Sequence, residues 1–302
     1  MCGIVGFLDK THNAHAAVGG VLFEMLKALG CRGPDSAGVA LYGSGDAGAL
    51  VLQIKLGEHG DFEAKSQEIA ARVRRLGTLR DCTRTAAYLR LVLSDTGDPR
   101  QVERLIEADD DDIEVVSMGH HLEIVKQVGS PQHLDATYGI SKWTGTHGLG
   151  HTRLSTESRV DLSHSQPFWA HGSPDLAIVH NGHITNYDTM RRRYEQRGVR
   201  FYTHNDSEII GIYLAERLSQ GRTLREALQA SLADFDGSFS YLAATPQALG
   251  FAKDPFALKP LLVTETETFV ALATEEMAIR AAYEGTYTVR EAQAREVRVW
   301  QR

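Results

Sequence analysis

The sequence predicts an α+β fold with four layers, in which two mainly antiparallel sheets pack face to face between outer layers of helices. Several strand-like segments have glycine at or near their start, as at residues 2–7, 38–42 and 150–154. In the later part of the chain such segments alternate with helical ones. Residues 176–179, LAIV, are apolar at successive positions, which is typical of a strand covered on both faces. We therefore expect each sheet to be enclosed by other layers.

The N-terminal segments predict a strand, a helix and a hairpin. Residues 2–7 form the first predicted strand. Residues 14–29 carry apolar side chains at helical spacing, and Gly30 is a suitable helix stop. Residues 38–42 and 49–56 are predicted to pair as the two strands of a hairpin.

Residues 57–147 predict a small inserted α+β subdomain, since short helical and strand-like segments follow one another between glycines. The predicted elements are helices at 62–76 and 99–108, a strand at 86–93, and a hairpin formed by 113–118 and 121–128. About 90 residues with secondary structure are too many for a simple loop. Two interpretations stay open: a subdomain that only packs beside the sheets, or a docking surface for a partner.

The C-terminal half predicts further strands and two helices. The helices are residues 206–218 and 223–235, the second with Thr223 as N-cap and Glu226 at the capping-box position. The predicted strands are residues 150–154, 176–180, 239–244, 249–253, 261–265 and 269–273.

Composition excludes several classes of function. The chain has 302 residues, 42% hydrophobic and 24% charged, and its net charge of −7 argues against nucleic-acid binding through phosphate contacts. No apolar run approaches the ~18 residues of a membrane span, so we expect no membrane association. The run at residues 4–8 is too short for a signal sequence. Three cysteines imply no disulfide framework, so a cytoplasmic protein is expected, with Cys31 and Cys82 buried as small apolar side chains.

The segment CGIVGF at residues 2–7 places a thiol at the head of the first predicted strand. Because Cys2 is small, we expect Met1 to be removed, which would leave a thiol and a free α-amine on one residue. An α-amine titrates near pH ~8 and a thiol near ~8.5, so the amine can accept the thiol proton at neutral pH. Nucleophile and base would then reside in the same residue, which is N-terminal-nucleophile catalysis.

Nine motifs follow one another along the chain outside the predicted insert. They are MCGIVGF at 1–7, RGPDSAG at 32–38, GHTRLST at 150–156, SQPF at 165–168, HNGHITNY at 180–187, DSE at 206–208, DGSFS at 236–240, KDPFALKPL at 253–261 and ATEEMA at 273–278. In content and order they resemble the class-II glutamine amidotransferases, whose glutaminase domain is an N-terminal-nucleophile hydrolase. The resemblance implies the αββα sandwich of those hydrolases across residues 1–302, with residues 57–147 inserted in it.

The resemblance also implies the residues of the reaction. Cys2 matches the nucleophile, which would attack the side-chain amide of L-glutamine and form a γ-glutamyl thioester. Asn181 and Gly182 match the oxyanion hole, where one side-chain amide and one backbone N–H face the developing oxyanion. No metal site and no bound cofactor are implied.

Four further residues match substrate-binding or supporting positions. Arg153 matches the residue that binds the α-carboxylate of glutamine, where a planar guanidinium can donate two parallel hydrogen bonds. Asp206 matches the carboxylate that pairs with the α-ammonium, and Thr156 matches a hydroxyl that lines the same pocket. Arg32 lies in the loop that closes over the nucleophile in this family, which implies a supporting role.

The chain stops at Arg302, shortly after ATEEMA, so we expect a free-standing glutaminase subunit whose ammonia is used on another polypeptide. It is similar to stand-alone amidotransferase subunits of the glutamate synthase type, such as the amidotransferase subunit of N-methylglutamate synthase. The implied partners are synthase subunits, and any flavin would belong to them.

Two other functions stay open at this point. The first is an N-terminal-nucleophile amidase that acts on a different amide, although such an enzyme would not need both Arg153 and Asp206. The second is a non-catalytic subunit that senses glutamine or serves as a scaffold, although the nucleophile and oxyanion residues are all present. The mass of the purified chain separates these functions in part, because a retained Met1 would acylate the proposed base.

Overall fold

The computed structural model describes residues 2–43, 45, 48–108, 110, 112–155 and 160–302. In these ranges no helix is both long and apolar enough to cross a membrane. The strands are β1 Gly3–Asp9, β2 Ser36–Tyr42, β3 Ala49–Lys55, β4 Thr78–Thr85, β5 Tyr88–Ser94, β6 Glu114–Gly119, β7 Leu122–Val128, β8 His147–Arg153, β9 Phe168–Trp169, β10 Ala177–Ile184, β11 Gly237–Thr245, β12 Ala248–Lys253, β13 Leu262–Glu265, β14 Phe269–Ala273, β15 Arg290–Glu291 and β16 Val297–Gln301. The helices are α1 Val18–Ala28, α2 Phe62–Val73, α3 Pro99–Ile106, α4 Pro131–Tyr138, α5 Tyr187–Glu195, α6 Ser207–Ser219, α7 Leu224–Asp234 and α8 Glu276–Ala282, with a 3-10 turn at Ile140–Lys142.

Two large sheets form the centre of the fold. The first, which we call the main sheet, has the strand order β15-β13-β14-β1-β8-β2-β7, and the second has the order β16-β12-β11-β10-β9. Neighbouring strands run antiparallel in both sheets. Cys2 directly precedes β1, the central strand of the main sheet, as the sequence predicts.

Alternate residues of β1 pack into different layers, which explains why the strand is buried on both faces. Ile4 and Leu8 belong to the core between the two sheets, whereas Val5 and Phe7 pack with α1, α4 and α8 on the outer side. The opposite face of the second sheet packs against α5, α6 and α7. These layers form an αββα sandwich, which confirms the predicted fold class.

The local signals for several helices agree with the structure. α7 begins at a capping box in which Thr223 and Glu226 bond reciprocally, as predicted. The predicted helix 206–218 is α6, Ser207–Ser219, and the predicted helix 62–76 is α2, which ends at Val73. Predicted boundaries therefore differ by a few residues only.

Strands β3 to β6 form a third sheet of order β4-β5-β3-β6, and with α2 and α3 they constitute what we call the third-sheet subdomain. Both predicted hairpins are wrong. β2 pairs with β7 and β8 rather than with β3, and β6 pairs with β3 rather than with β7. The strands of residues 57–147 are thus divided between two sheets, since β4, β5 and β6 belong to the third sheet and β7 belongs to the main sheet. β3, which precedes residue 57, also belongs to the third sheet.

Asp175 stabilises the connection between β6 and β7, where the chain passes from the third sheet to the main sheet. Its carboxylate accepts hydrogen bonds from the backbone N–H groups of His120, His121 and Leu122 at 2.8–2.9 Å. Two apolar runs joined by a short loop favour a hairpin locally. Here the Asp175 carboxylate, distant in sequence, accepts the hydrogen bonds of the loop's N–H groups instead, so the two strands can join different sheets.

The cysteines other than Cys2 are not buried. Cys31 and Cys82 are both exposed, and none of the three cysteines is in a disulfide. The prediction that Cys31 and Cys82 are buried is therefore wrong; Cys82 lies on β4, whose residues face solvent along most of the strand.

Candidate active site

Cys2 lies where the ends of β1, β8 and β10 meet. Its backbone oxygen accepts a hydrogen bond from Asn181 Nδ2 at 3.3 Å, and its Sγ donates to the Leu154 oxygen at 3.8 Å. The next strand position is fixed as well, because the Ile4 N–H donates to Thr274 Oγ1 at 2.8 Å. The thiol is half-buried and therefore accessible to a small substrate. Met1, whose removal the sequence predicts, lies outside the described residues.

Asn181 and Gly182 are consecutive residues of β10, opposite Ser240 and Phe239 of β11. Gly182 has φ +144°, a conformation that residues with a side chain rarely adopt. A Cβ atom at this position would lie 2.2 Å from the Ser238 oxygen and 2.6 Å from Phe239 Cα. Only glycine therefore keeps β10 in register beside Cys2.

Gln166 and Ser207 hold the backbone of β10 immediately before Asn181. The Gln166 side chain accepts from the His180 N–H at 2.6 Å and donates to the His180 oxygen at 3.1 Å. Gln166 Nε2 also donates to Ser207 Oγ at 3.1 Å, and that hydroxyl is 2.8 Å from His180 Nδ1. The position of the Asn181 amide is thus set by a buried hydrogen-bond network.

Arg153 is the last residue of β8 and is 4% exposed. The Asp35 N–H donates to the Arg153 oxygen at 3.0 Å, and Asp35 Oδ2 accepts from the Ser155 N–H at 2.7 Å. A Cβ on Gly33 would lie 2.5 Å from the Arg153 nitrogen, so a glycine is required for this close approach. Burial lowers the pKa of Arg153, while the charges of Cys2, Asp161 and Asp35 oppose that shift.

Asp206 directly precedes α6 and is bound to the strand that carries the oxyanion residues. Its Oδ2 accepts from the Ile184 N–H at 2.7 Å, two residues beyond Gly182. Its Oδ1 is 3.7 Å from Nδ1 of His180, and the side chain is 21% exposed. One carboxylate oxygen is therefore fixed by β10, and the group remains accessible to a ligand.

The structure places the Arg32 side chain at the start of α8. Arg32 forms an ion pair with Glu275, the residue after Thr274. Thr274 in turn bonds to Ile4 at the start of β1, and the supporting role of Arg32 stays a prediction. Thr156, the other predicted pocket residue, lies outside the described residues.

Buried histidines surround the site with uncharged groups. His151, between Gly150 and Thr152 on β8, is 0% exposed, and burial lowers its pKa to about 3. Burial also lowers the pKa of His180, against the opposing charge of Asp206. Both rings are therefore neutral near pH 7, whereas Arg153 is charged and interacts electrostatically with Cys2.

Several residues that hold the site are not among those predicted from the sequence. Asp35, Gln166 and Ser207 position the chain around Arg153 and Asn181, and Glu208 binds the backbone before Asp206. Each of them lies within a motif, namely RGPDSAG, SQPF or DSE. The motifs therefore contain the signal, but no chemical role in the reaction identifies these residues individually.

One group of side chains in the described residues has the composition of a metal site. Ligand atoms of Glu103, Glu107 and His171 lie within 4.8 Å of one another. These atoms already bond to each other and to neighbours: His171 Nδ1 is 2.8 Å from Glu103 Oε1, and Glu107 accepts from Tyr202 OH at 2.7 Å. We therefore treat the group as a hydrogen-bond network.

Comparison with known proteins adds independent findings. Residues 151–281 match the family described as glutamine amidotransferase domain. A Methanothermobacter thermautotrophicus protein assigned as a glutamine amidotransferase is 37% identical over 100% of both chains. The glutamine amidotransferase-like protein GlxB of Rhizobium meliloti is 34% identical over 92% of this chain and 91% of its own. The solved glutamine phosphoribosylpyrophosphate amidotransferase from B. subtilis matches with a TM-score of 0.63 at 19% identity, over 99% of this chain and 47% of that chain, which bears on the fold alone.

Proposed function

This chain belongs to the class-II glutamine amidotransferases, and we propose that it hydrolyses L-glutamine with Cys2 as the nucleophile. The observation that carries the proposal is the contact of the Asn181 side-chain amide with Cys2 at 3.3 Å. A donor in that place can also reach an oxyanion formed next to the thiol. Arg153 supplies the nearby cation that a free amino acid requires.

In the first half of the reaction, the Cys2 thiol transfers its proton to the α-amine of the same residue as sulfur attacks the amide carbon of glutamine. The carbonyl oxygen becomes an oxyanion that accepts hydrogen bonds from the Asn181 side chain and the Gly182 N–H. Collapse of this intermediate breaks the C–N bond. The α-ammonium returns the proton to the departing nitrogen, which leaves as ammonia.

In the second half, water attacks the γ-glutamyl thioester with the α-amine as base. The same two donors stabilise the second oxyanion, and its collapse yields glutamate and the Cys2 thiol. Arg153 and Asp206 bind the α-carboxylate and α-ammonium throughout. Because these charges do not change during the reaction, the two residues contribute mainly to substrate binding.

The test measures glutamate release and thioester formation by the purified chain. Its mass should first show that Met1 is removed. Cys2→Ala should abolish hydrolysis, and Asn181→Ala should lower kcat by roughly 10²–10³, since its donor acts in the transition state. Cys31→Ser and Cys82→Ser are matched controls, because both thiols are exposed and neither has a role in the proposed reaction, and they should retain activity.

The same assay separates the alternatives. Acylation of Cys2 by simple N-acyl amides, but not by glutamine, would indicate an amidase of another specificity. Binding of glutamine without any thioester or glutamate would indicate a sensing subunit. Full hydrolysis by Cys2→Ala would contradict the proposal directly.

We further propose that the ammonia passes to a synthase partner of the glutamate synthase or N-methylglutamate synthase type. The resemblance of the motifs supports this assignment. Co-purification from the native host with a flavin-containing protein, and glutamine-dependent synthesis by the mixture, would support it. Transfer of the amide nitrogen to an acceptor without such a protein would contradict it.

A further inference from the structure

The third-sheet subdomain contacts two loops that adjoin the proposed substrate-binding side chains. One is the turn at residues 161–164, between β8 and β9, and the other precedes Asp206 at the start of α6. Neither contact takes part in the bond-making steps proposed above.

The first contact is made by Ser163. Its hydroxyl accepts a hydrogen bond from Lys55 Nζ at 2.6 Å and donates to Glu114 Oε2, and both charged residues are 7% exposed. Lys55 and Glu114 belong to β3 and β6 of the third sheet, and their charged atoms are 3.8 Å apart. Because a buried charge is costly without partners, this pair holds Ser163 firmly.

The turn that contains Ser163 also contains Asp161, whose charge acts on Arg153. Asp161 Oδ1 accepts from the backbone and ring nitrogens of His164 at 2.8 and 2.7 Å. Burial raises the pKa of Asp161, but the bonds from His164 outweigh it and bring the pKa below its ordinary value. The carboxylate is therefore charged, and it attracts the guanidinium of Arg153.

The second contact is made by Tyr202. Its hydroxyl donates to Glu107 Oε2 at 2.7 Å and lies 3.2 Å from Glu103 Oε1. Glu103 lies on the buried face of α3, and Glu107 directly follows that helix. The His171 ring stacks on Tyr202 with centroids 3.7 Å apart, and its Nδ1 is 2.8 Å from Glu103. Tyr202 is thus fixed between the third-sheet subdomain and the second sheet.

The backbone at Tyr202 is connected directly to the start of α6. Glu208 Oε1 accepts from the Tyr202 N–H at 2.8 Å, and Glu208 Oε2 accepts from the Thr203 N–H at 2.9 Å. Glu208 is 3% exposed and lies in the first turn of the helix that Asp206 precedes. A displacement of Tyr202 would therefore move the helix start and the Asp206 carboxylate with it.

We propose that the third-sheet subdomain positions the two substrate-binding side chains, holding Arg153 through Ser163 and Asp206 through Tyr202. Ser163 and Tyr202 are positioning residues, since they act through other groups. The inference rests on the proposed function, because it takes Arg153 and Asp206 as the residues that bind glutamine.

The test compares Ser163→Ala and Tyr202→Phe with matched controls. Tyr194→Phe removes another tyrosine–carboxylate bond, to Glu216 at 2.8 Å, and Ser117→Ala removes a buried hydroxyl within the third sheet. The two positioning variants should each raise the KM for L-glutamine roughly 2- to 30-fold with kcat nearly unchanged. The controls should leave both constants as they are.

Truncated substrates identify the side chain through which each residue acts. Glutaric acid monoamide lacks the α-amine, so its KM, or its Ki against glutamine, should be insensitive to Tyr202→Phe but still raised by Ser163→Ala. 4-Aminobutanamide lacks the α-carboxylate and should show the reverse. Equal effects on both compounds would indicate a general structural defect and overturn the proposal.

Binding in the Cys2→Ala background distinguishes this inference from the proposed function. Calorimetry should detect glutamine binding to Cys2→Ala, weakened when either positioning substitution is added. Failure of Cys2→Ala to bind glutamine, together with an inactive parent chain, would overturn the proposed function itself. Binding of unchanged strength with both substitutions present would overturn the positioning role alone. Glu107→Gln, which removes a charge from the Tyr202 contact, provides a second variant should Tyr202→Phe unfold.

Discussion

Replacement of Asp206 by asparagine isolates the charge that is proposed to pair with the α-ammonium of glutamine. The asparagine side-chain oxygen can still accept the hydrogen bond from the Ile184 N–H, now 2.7 Å long. The connection between α6 and β10 should therefore persist in Asp206→Asn. What is lost is the negative charge at the accessible oxygen.

The expected magnitude follows from the surroundings of that carboxylate. Hydrogen bonds to charged groups contribute roughly 1.5–3 kcal/mol. Because the Asp206 side chain is 21% exposed, we take the lower part of that range, about 1.5–2 kcal/mol. The KM for L-glutamine should then rise about 10- to 30-fold, with kcat little changed.

The assay is glutamate release under steady-state conditions, repeated with glutaric acid monoamide. That compound has no α-ammonium, so the parent chain and Asp206→Asn should handle it equally. Asp206→Ala should be worse than Asp206→Asn, because it also removes the bond to Ile184. An equal KM increase for glutamine and for the truncated amide in Asp206→Asn would refute the assignment.

Three further outcomes are expected. Gly182→Ala should lower the free energy of unfolding, measured by urea titration, by about 3 kcal/mol or more, since its Cβ would lie 2.2 Å from the Ser238 oxygen. The control Gly198→Ala, at φ +81° with open space around the Cβ, should lower it by only about 1 kcal/mol. Burial lowers the pKa values of His147 and His151 to about 4 and about 3, below the ~6.5 of an unfolded chain. Because unfolding then takes up protons, the free energy of unfolding should fall below pH ~6.5 by up to ~1.4 kcal/mol per pH unit for each histidine. A flat stability profile from pH 7 to 4.5 would contradict this. Burial lowers the pKa of Lys126, 1% exposed, to about 8, so Lys126→Met should stabilise the chain by roughly 1–3 kcal/mol at pH 7, and the difference should shrink as pH rises from 8 to 10.5.

The sandwich could be predicted because its strands and helices carry local signals. The strand at Cys2, the capping box at Thr223 and the apolar run before His180 each specify an element from neighbouring residues alone. The layer order followed from the motif resemblance and from strands that are apolar on both faces. These are properties that a single sequence records directly.

The crossings between sheets could not be predicted, because the groups that stabilise them are distant in sequence. The turn at His120 and His121 is satisfied by Asp175, more than 50 residues away. Local reasoning assigns such a turn to a hairpin, since nothing nearby shows that its N–H groups already have an acceptor. The same limitation applies to β3, which pairs with β5 and β6 of the third sheet rather than with β2 as predicted.

The residues that hold the candidate site lie within the sequence motifs, but no chemical role marks them individually. Gln166, Ser207 and Asp35 each bond to backbone next to Asn181 or Arg153, and none of them needs to touch the substrate. A displacement of the backbone by less than ~1 Å would move the Asn181 amide relative to the thiol, and stabilisation of an oxyanion depends steeply on such distances. Taken together, the motifs of this family therefore contain the residues proposed to react or bind substrate and also the residues that hold them. For that reason the motifs SQPF and DSE indicate the family as whole motifs, although the sequence assigns no chemical role to Gln166 or Ser207 individually.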